Sequence, residues 1–312
     1  KFMEEYNSRI IQAKQAIKQA DYIIIGAGAG LSTAAGLLYS GEKFKKDFKE
    51  FIEKYHFEDL YSASFYNFKT QEEKWAFFAK MIKLNRYNET PLKLYQELYE
   101  IVKNKEYFVL STNVDGQFYN SGFDRKKVFE IQGDYSYLQC ENACHNKLYN
   151  NKELVEKWIH NTKNCKIPSN LIMKCPVCGG NMDMNLRKDE NFVQDEHWYE
   201  MSQRYDEFLN KIQNKNVVLL EIGVGFNTPG IIRFPFEQMT ANNVKTTLIR
   251  INKDYPLPML EIRNETISFD EDTNKIIEDL NNVWILFYFL HILKQKVLDF
   301  HHKISYNDKK RW

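Results

Sequence analysis

The sequence carries almost no net charge. Its 43 lysines and arginines oppose 42 aspartates and glutamates, which leaves a formal net charge of +1 over 312 residues. A chain without an excess of one sign has no general attraction for nucleic acid or for an acidic membrane surface. We therefore expect neither a nucleic-acid partner nor membrane association.

Cysteine is scarce, and the N-terminal region lacks a long apolar run. Five cysteines in so long a chain are too few for a disulfide scaffold, and four of them form two close pairs. Such pairs are typical of metal ligands in a reducing compartment. Residues 4–20 are polar and charged, without the apolar segment of a secretory signal peptide. These features predict a cytoplasmic protein.

An apolar segment does occur near the C-terminus. Residues 284–293 are nearly all apolar except His291, and a basic tail follows them. Ten residues are too few to span a bilayer. The segment therefore predicts a packed C-terminal helix or, alternatively, a helix that binds a membrane surface or a partner.

The remaining pattern alternates between helix and strand. Helical spacing of apolar residues predicts helices at 4–20, about 47–54, 70–83, 90–102 and 197–213. Short continuous apolar runs are typical of parallel strands that are covered on both faces. They predict strands at 22–25, 107–110, 128–131, 217–222, 246–251 and 266–269. The fold class is therefore α/β.

Glycine and amide residues follow three of the predicted strands. The first turn, residues 26–32, reads Gly-Ala-Gly-Ala-Gly-Leu-Ser. Alone it is compatible with a tight strand-to-helix connection that binds nothing. Ser-Thr-Asn-Val-Asp-Gly follows the second strand and Gly-Val-Gly-Phe-Asn the fourth. Because ligands bind at the carboxyl ends of strands in open α/β sheets, the three turns together predict a nucleotide crevice.

The paired cysteines predict a zinc site with four sulfur ligands. Cys175 and Cys178 are separated by two residues, whereas Cys140 and Cys144 are separated by three. Thiolates at such spacings can reach one tetrahedral ion, and four protein ligands leave no open position, so the zinc would be structural. A degenerate ribbon, or a ligand exchanged for His145 or Cys165, stays open as an alternative.

The turns resemble those of the sirtuin family of NAD-dependent enzymes. Residues 28–36 are similar to its first cofactor loop, 112–116 to its catalytic Thr-Gln-Asn-Val-Asp segment, and 223–226 to its Gly-Thr-Ser-Leu turn. Asn252 matches the asparagine that closes the family's ribose-binding strand. The resemblance covers about 20–280 and implies a Rossmann-like parallel sheet domain with a smaller helical and zinc-ribbon module, with NAD between them.

The resemblance also implies domain bounds. We expect a sirtuin-type domain over 1–283, with a Rossmann-like core at about 4–38, 89–131 and 214–283. A helical insertion would occupy about 39–88 and a zinc-ribbon excursion about 132–190. Residues 284–312 would form a C-terminal extension.

Roles at the cofactor follow from the same resemblance. Asn113 and Asp115 would hold the nicotinamide end of NAD, where bond cleavage leaves a cationic sugar that needs oxygen atoms around it. Gly28, Ala29, Gly30 and Ser32 would hold the phosphates, and Gly223, Gly225 and Asn252 would lie on the adenosine side. Gly36, Gln132 and Asn227 complete the predicted cofactor-binding set.

Two departures from the family pattern matter for the reaction. After Gly36 the family continues Ile-Pro-Asp-Phe-Arg, whereas this chain has Leu-Leu-Tyr-Ser-Gly without the arginine. Where the family has His-Gly, this chain has Gln132 and Gly133. That histidine serves deacylating sirtuins as a general base on the ribose. A glutamine amide forms hydrogen bonds but cannot take up the proton.

Gln132, Asn113 and the Met-Asn-Leu-Arg segment that ends at Arg187 resemble the class M sirtuins of microbes, as do 193–196 and 223–230. That resemblance implies ADP-ribosylation of a lipoyl-carrier protein similar to the glycine-cleavage H protein, with a macrodomain ADP-ribosyl hydrolase as functional neighbour. Activity would depend on Asn113, Gln132 and Arg187, with a surface arginine after a strand as the alternative interpretation of Arg187. The alternatives are an NAD-dependent deacylase with an unusual base and an NAD-binding module without catalysis.

Overall fold

The computed structural model describes residues 2–37, 41–64, 66–87 and 90–282. The predicted extension 284–312 and its apolar run lie outside the described residues. No helix within those four ranges is long and apolar enough to cross a membrane. The helices are Phe2–Gln19 (α1), Ala29–Ala34 (α2), Gly41–Asp47 (α3), Lys49–Tyr55 (α4), Leu60–Ser64 (α5), Gln71–Arg86 (α6), Lys93–Val102 (α7), Gln117–Asn120 (α8), Lys152–Asn161 (α9), Glu196–Lys211 (α10), Arg233–Asn242 (α11) and Thr273–Asn281 (α12).

Nine strands form two sheets within the described residues. The strands are Tyr22–Ala27 (β1), Glu106–Ser111 (β2), Val128–Glu130 (β3), Gly133–Cys140 (β4), Tyr149–Asn150 (β5), Met182–Leu186 (β6), Val217–Ile222 (β7), Thr246–Ile251 (β8) and Thr266–Phe269 (β9). Six of them form a parallel sheet in the order β3-β2-β1-β7-β8-β9. The six predicted strands and the α/β Rossmann-like fold class are therefore confirmed.

Both faces of the parallel sheet are covered, which explains the continuous apolar runs. Ile23 and Ile25 of β1 point into a core shared with α1, α7 and α12. Ile24 points to the other face, where α10 and α11 pack. Each such buried side chain contributes roughly 1.5–3 kcal/mol of transfer free energy to folding. Strand order reverses between β1 and β7, so a crevice opens at their carboxyl ends.

The helical insertion and the cysteine-rich excursion pack into one smaller module. Strands β5, β4 and β6 form an antiparallel sheet that shares a core with α3, α4, α6 and α9. Trp75 of α6 stacks on Trp158 of α9 with ring centroids 4.9 Å apart. Because one core serves both segments, residues 41–87 and the ribbon stabilise each other.

Several elements differ from the sequence-based expectation. Helix α9 was not predicted, because the surrounding Asn- and Lys-rich sequence hides its two buried anchors, Val155 and Trp158. Helix α7 begins at Lys93 rather than at Pro91, with Leu92 in an extended conformation as its N-cap. Helices α11 and α12 also lay in stretches without a predicted element.

Candidate active site and metal centre

A cleft of about 590 Å³ lies at the carboxyl ends of β1, β2, β7 and β8. This is the position at which parallel α/β sheets bind ligands. The cleft brings together many of the residues that the sequence singled out. Those that line it are Gly28, Ala29, Gly30, Asn113, Gln132, Gly223, Gly225, Asn227 and Asn252.

The floor of the cleft consists of two glycine turns in backbone contact. The Gly30 amide donates a hydrogen bond to the Gly223 carbonyl at 3.0 Å. A Cβ on Gly28 would lie 2.5 Å from that same carbonyl oxygen. Gly223 has φ +63°, and a Cβ there would lie 2.4 Å from the Leu31 nitrogen. No side chain fits between the turns, so a ligand can approach the backbone closely.

A buried polar network lies behind the floor. The Ser32 hydroxyl donates to the Asp115 carboxylate at 2.5 Å, and the Tyr95 hydroxyl lies 2.9 Å from the Ser32 oxygen. The Asn113 amide nitrogen donates to the Gly28 carbonyl at 2.9 Å. Burial raises the pKa of Asp115 to about 6, although the Ser32 hydroxyl opposes that shift. The network fixes Asn113 against the first glycine turn.

Not every predicted residue reaches the cleft. Ser32 and Asp115 belong to the buried network, and Gly36 also lies outside the lining. Tyr95, which joins this network from α7, was not predicted from the sequence. The apolar spacing of that helix explains the omission, because it marks Tyr95 only as a core residue.

Asn252 forms the opposite wall by joining two loops. Its amide nitrogen donates to the Val224 carbonyl at 2.8 Å. Its amide oxygen accepts from the backbone nitrogens of Asp254 and Tyr255 at 3.1 and 2.9 Å. Residues 253–255 and 271–273 complete the lining on this side. They were not predicted, although their position directly after β8 and β9 was the signal that could have found them.

Gln132 lies in the turn between β3 and β4, at the boundary of two spaces. It lines the main cleft and also an adjoining recess of about 580 Å³ that contains Arg187. The Arg187 amide donates to the Gln132 carbonyl at 3.0 Å. Gly133 has φ +108°, and a Cβ there would lie 1.9 Å from the Asn185 carbonyl oxygen. Gln132 therefore lines the same cleft as Asn113 and the same recess as Arg187.

Arg86 of α6 connects this turn with the segment that follows β2. Its guanidinium donates to Asp134 at 2.8 Å, and both side chains are largely buried. A Cβ on Gly116 would lie 2.4 Å from the same guanidinium. Arg86 thus contacts the segment after Asn113 and the segment after Gln132. Arg86 was not predicted from the sequence, because one arginine in a charged helix carries no pattern.

Glu130 lies beneath the turn in an unfavourable setting for a charge. Among the residues that the structure describes, neither of its two buried carboxyl oxygens has a hydrogen-bond partner of normal geometry. Burial raises the pKa of Glu130 well above its usual value, and the nearby Asp134 and Asp115 carboxylates add to the shift. Burial therefore favours the neutral form of this carboxyl.

The four paired cysteines form a group of the right size for zinc. The sulfur atoms of Cys140, Cys144, Cys175 and Cys178 all lie within 4.8 Å of one another. Two of the sulfur pairs are 3.6 Å apart, close to the ~3.8 Å that tetrahedral Zn–S bonds require. Backbone amides of Cys178 and Val177 lower the pKa of the Cys175 thiol to about 6.

The two alternative zinc ligands, Cys165 and His145, lie at different distances from the four thiols. Cys165 is buried and lies outside the group of four. The His145 ring nitrogen Nδ1 lies 3.1 Å from the Cys144 sulfur, and its Nε2 lies 2.9 Å from the Tyr149 hydroxyl. His145 therefore borders the four thiols. The residues fit a closed structural zinc site, in which the ion would cross-link the ends of β4 and β6.

Comparison with known families identifies the arrangement. A sequence profile of the Sir2 family matches residues 28–223, from the first glycine turn to the second. The chain belongs to the Sir2 family. A solved Sir2 homologue in complex with NAD is similar in fold, with a TM-score of 0.52 and 16% identity over 86% of this chain and 91% of that chain.

Two curated relatives narrow the type of sirtuin. The protein ADP-ribosyltransferase of Staphylococcus aureus strain Mu50 is 36% identical over 277 residues, 88% of each chain. A probable bifunctional ADP-ribose hydrolase/ADP-ribosyltransferase of Fusarium oxysporum f. sp. cubense is 31% identical over 252 residues, 77% of this chain and 41% of that relative. The predicted enzyme class, an NAD-dependent ADP-ribosyltransferase, is confirmed.

Proposed function

We propose that this sirtuin transfers ADP-ribose from NAD to a lipoyl-carrier protein similar to the glycine-cleavage H protein, with release of nicotinamide. The observation that carries the proposal is Gln132 at the boundary of the cleft and the recess. A deacylating sirtuin needs a proton acceptor there, and an amide is none. The activity named for the Staphylococcus relative also favours transfer to protein.

NAD is the substrate, and each part of the cleft has a proposed task. The backbone of the glycine turns binds the diphosphate, and Asn252 holds the loops around the adenosine. Asn113 and Asp115 support the nicotinamide riboside, Asn113 from the cleft wall and Asp115 from the network behind it. The bond from the ribose anomeric carbon to the nicotinamide nitrogen breaks, and its electron pair leaves with nicotinamide. Oxygen atoms around the ribose stabilise the positive charge that develops.

The acceptor must supply its own nucleophile. Gln132 orients the ribose or the acceptor through hydrogen bonds but removes no proton. An acidic side chain suits this site, because it is already deprotonated at neutral pH. Arg187, in the recess next to Gln132, pairs with the acceptor or with a phosphate. The new bond joins the acceptor oxygen to the anomeric carbon.

A labelling experiment tests the proposal. The enzyme is incubated with NAD labelled in the adenosine half, a lipoylated carrier protein and an acyl-lysine peptide. We expect label on the carrier and an unchanged peptide. A deacylated peptide with no labelled protein would favour the deacylase alternative. Binding of NAD without release of nicotinamide under any acceptor would favour the module without catalysis.

Gln132→His is the decisive variant. It restores a group that can take up a proton, so transfer activity or acceptor choice should change. Gln203→His, on the exposed face of α10, is the matched control and should behave as the unaltered enzyme. If Gln132→His leaves transfer and specificity unchanged, the role given to Gln132 is wrong.

The partner and location follow from the same proposal. The name of the Fusarium relative combines a probable ADP-ribose hydrolase with an ADP-ribosyltransferase. That association supports an ADP-ribosyl hydrolase of the macrodomain type as a functional neighbour that removes the modification. We place the reaction in the cytoplasm, where the four paired cysteines would stay reduced and would not form disulfides. A co-purification of hydrolase and carrier with the enzyme from cytoplasmic extract tests both statements.

A further inference from the structure

A further polar pocket of about 500 Å³ lies outside both the NAD cleft and the recess beside Gln132. It shares no lining residue with the cleft or with the recess beside Gln132. Four basic side chains line it, and the described lining residues include no carboxylate. The four are Lys83 and Arg86 from α6, Arg125 from the short helix before β3, and Lys152 from the start of α9.

The basic side chains are only half neutralised. Lys83 pairs with Glu156, and Arg86 pairs with Asp134. Arg125 and Lys152 form no ion pair within the part of the chain that the structure describes. The pocket therefore has two positive charges that no described carboxylate pairs with, in a concave space where an anion would be attracted to both.

Aromatic rings hold the cations without removing their charge. The Arg125 guanidinium lies 4.8 Å from the ring centroid of Tyr119, and the Lys152 ammonium lies 6.0 Å from that of Tyr87. Tyr137 also lines the pocket, where its hydroxyl can donate a hydrogen bond. An arginine fork and a hydroxyl suit the several oxygens of a phosphate, and lysine adds a point charge.

We propose that this pocket is a binding site for a polyvalent phosphate anion, separate from the NAD site. Its concave form and its volume suit a small phosphate-bearing molecule better than a flat acidic protein surface. Arg86 makes the location relevant to the enzyme, because the same guanidinium contacts Asp134 and packs on Gly116. A ligand in the pocket contacts the residue that joins the Gln132 turn to the segment after Asn113.

Calorimetry of the full chain with inorganic pyrophosphate tests the proposal. Titrations are made at constant ionic strength, with chloride as the reference anion. We expect saturable binding that weakens by about 10-fold or more in the double variant Arg125→Gln/Lys152→Gln, with NAD binding unchanged. Both side chains are exposed, so the fold should tolerate the change. Tyr137→Phe, a milder second variant, should weaken binding less.

A matched control separates this pocket from general charge effects. Arg263→Gln/Lys211→Gln removes the same charges from exposed positions elsewhere and should leave pyrophosphate affinity unchanged. A second arm replaces pyrophosphate by glucose 6-phosphate, and the tighter ligand indicates whether inorganic or metabolite phosphate is the source. The proposal is overturned if neither anion binds saturably, if a polyglutamate peptide binds while both fail, or if the double variant binds pyrophosphate as the control does.

Discussion

The two sides of the NAD cleft are built in different ways. The floor is backbone against backbone, with Gly30 bonded to Gly223 and no room for a side chain. The facing side is the turn between β3 and β4, where Gln132 lines the cleft and shares the adjoining recess with Arg187, on a backbone that Gly133 fixes. The floor is formed by the glycine turns that resemble the Sir2 pattern, whereas the facing side carries Gln132 in place of the family's histidine. We therefore expect cofactor binding to depend on a backbone shape that tolerates few changes, and the choice of reaction to depend on side chains that can be exchanged on a constant backbone.

Gly223→Ala should break the floor and give the largest effect. The new Cβ would meet the Leu31 nitrogen at 2.4 Å, at a backbone φ of +63° that disfavours alanine. We expect the free energy of unfolding to fall by about 3 kcal/mol, since overpacking and backbone strain each cost of order 1–3 kcal/mol. NAD binding should be lost. Urea unfolding and calorimetry with NAD measure the two effects.

Gly225→Ala is the matched control for that prediction. It lies in the same turn and lines the cleft, yet its Cβ would meet no atom within 4 Å. Its stability should stay close to that of the unaltered protein. If both alanine variants bind NAD equally well, backbone contact between the turns is not what forms the floor.

Removal of zinc should affect mainly the facing side. The thiols join Cys140, at the end of β4, to the Cys175–Cys178 knuckle that precedes β6. Because Gln132 and Arg187 adjoin the same two strands, Cys178→Ser should lower transfer activity by about 10-fold or more, while NAD affinity changes far less. Zinc content by elemental analysis, transfer activity, and NAD affinity by calorimetry are measured on the same preparation. Cys165→Ala should retain zinc, and its loss there would contradict the four-ligand assignment.

Gln132→Ala should separate the two sides most cleanly. It removes the amide and leaves the floor untouched, so kcat for transfer should fall by about 100-fold, equivalent to ~2.7 kcal/mol. NAD affinity should stay within about 3-fold, because only one group at the cleft boundary is lost. Single-turnover transfer and calorimetry give the two values. The exposed Gln203→Ala serves as control, and an equal loss of NAD affinity and turnover would refute the division between the two sides.

The sequence predicted the floor better than the rest of the site. The strands and their following turns carry local signals, since apolar runs and glycines lie next to each other in the chain. The parallel sheet, the glycine turns, Asn113 and Asn252 could be predicted for that reason. Gln132 could be predicted because this one residue departs from the family pattern.

Contacts between distant segments were not predicted. Arg86 is 48 residues away from its partner Asp134, and Tyr95 is 63 residues away from Ser32. Nothing in a helical repeat distinguishes such a residue from any other arginine or tyrosine. Ser32 and Asp115 carried a pattern, but the pattern did not show that they support the cleft from behind rather than line it.

Glu130→Gln should have the smallest effect, and it tests the burial beneath the facing side. A carboxyl whose pKa is raised on folding stabilises the folded state only while protonated. The free energy of unfolding should therefore decline as pH rises from the unfolded pKa of ~4.3 towards the higher folded value. Glutamine resembles the neutral carboxyl, so the variant should match the unaltered protein near pH 4 and become the more stable of the two as the pH rises towards 8. Urea unfolding across this range measures the difference, with the exposed Glu153→Gln as control. A variant that is less stable near pH 8 would mean that Glu130 is charged and paired, and that the Gln132 turn lies over an ion pair and not over a neutral acid.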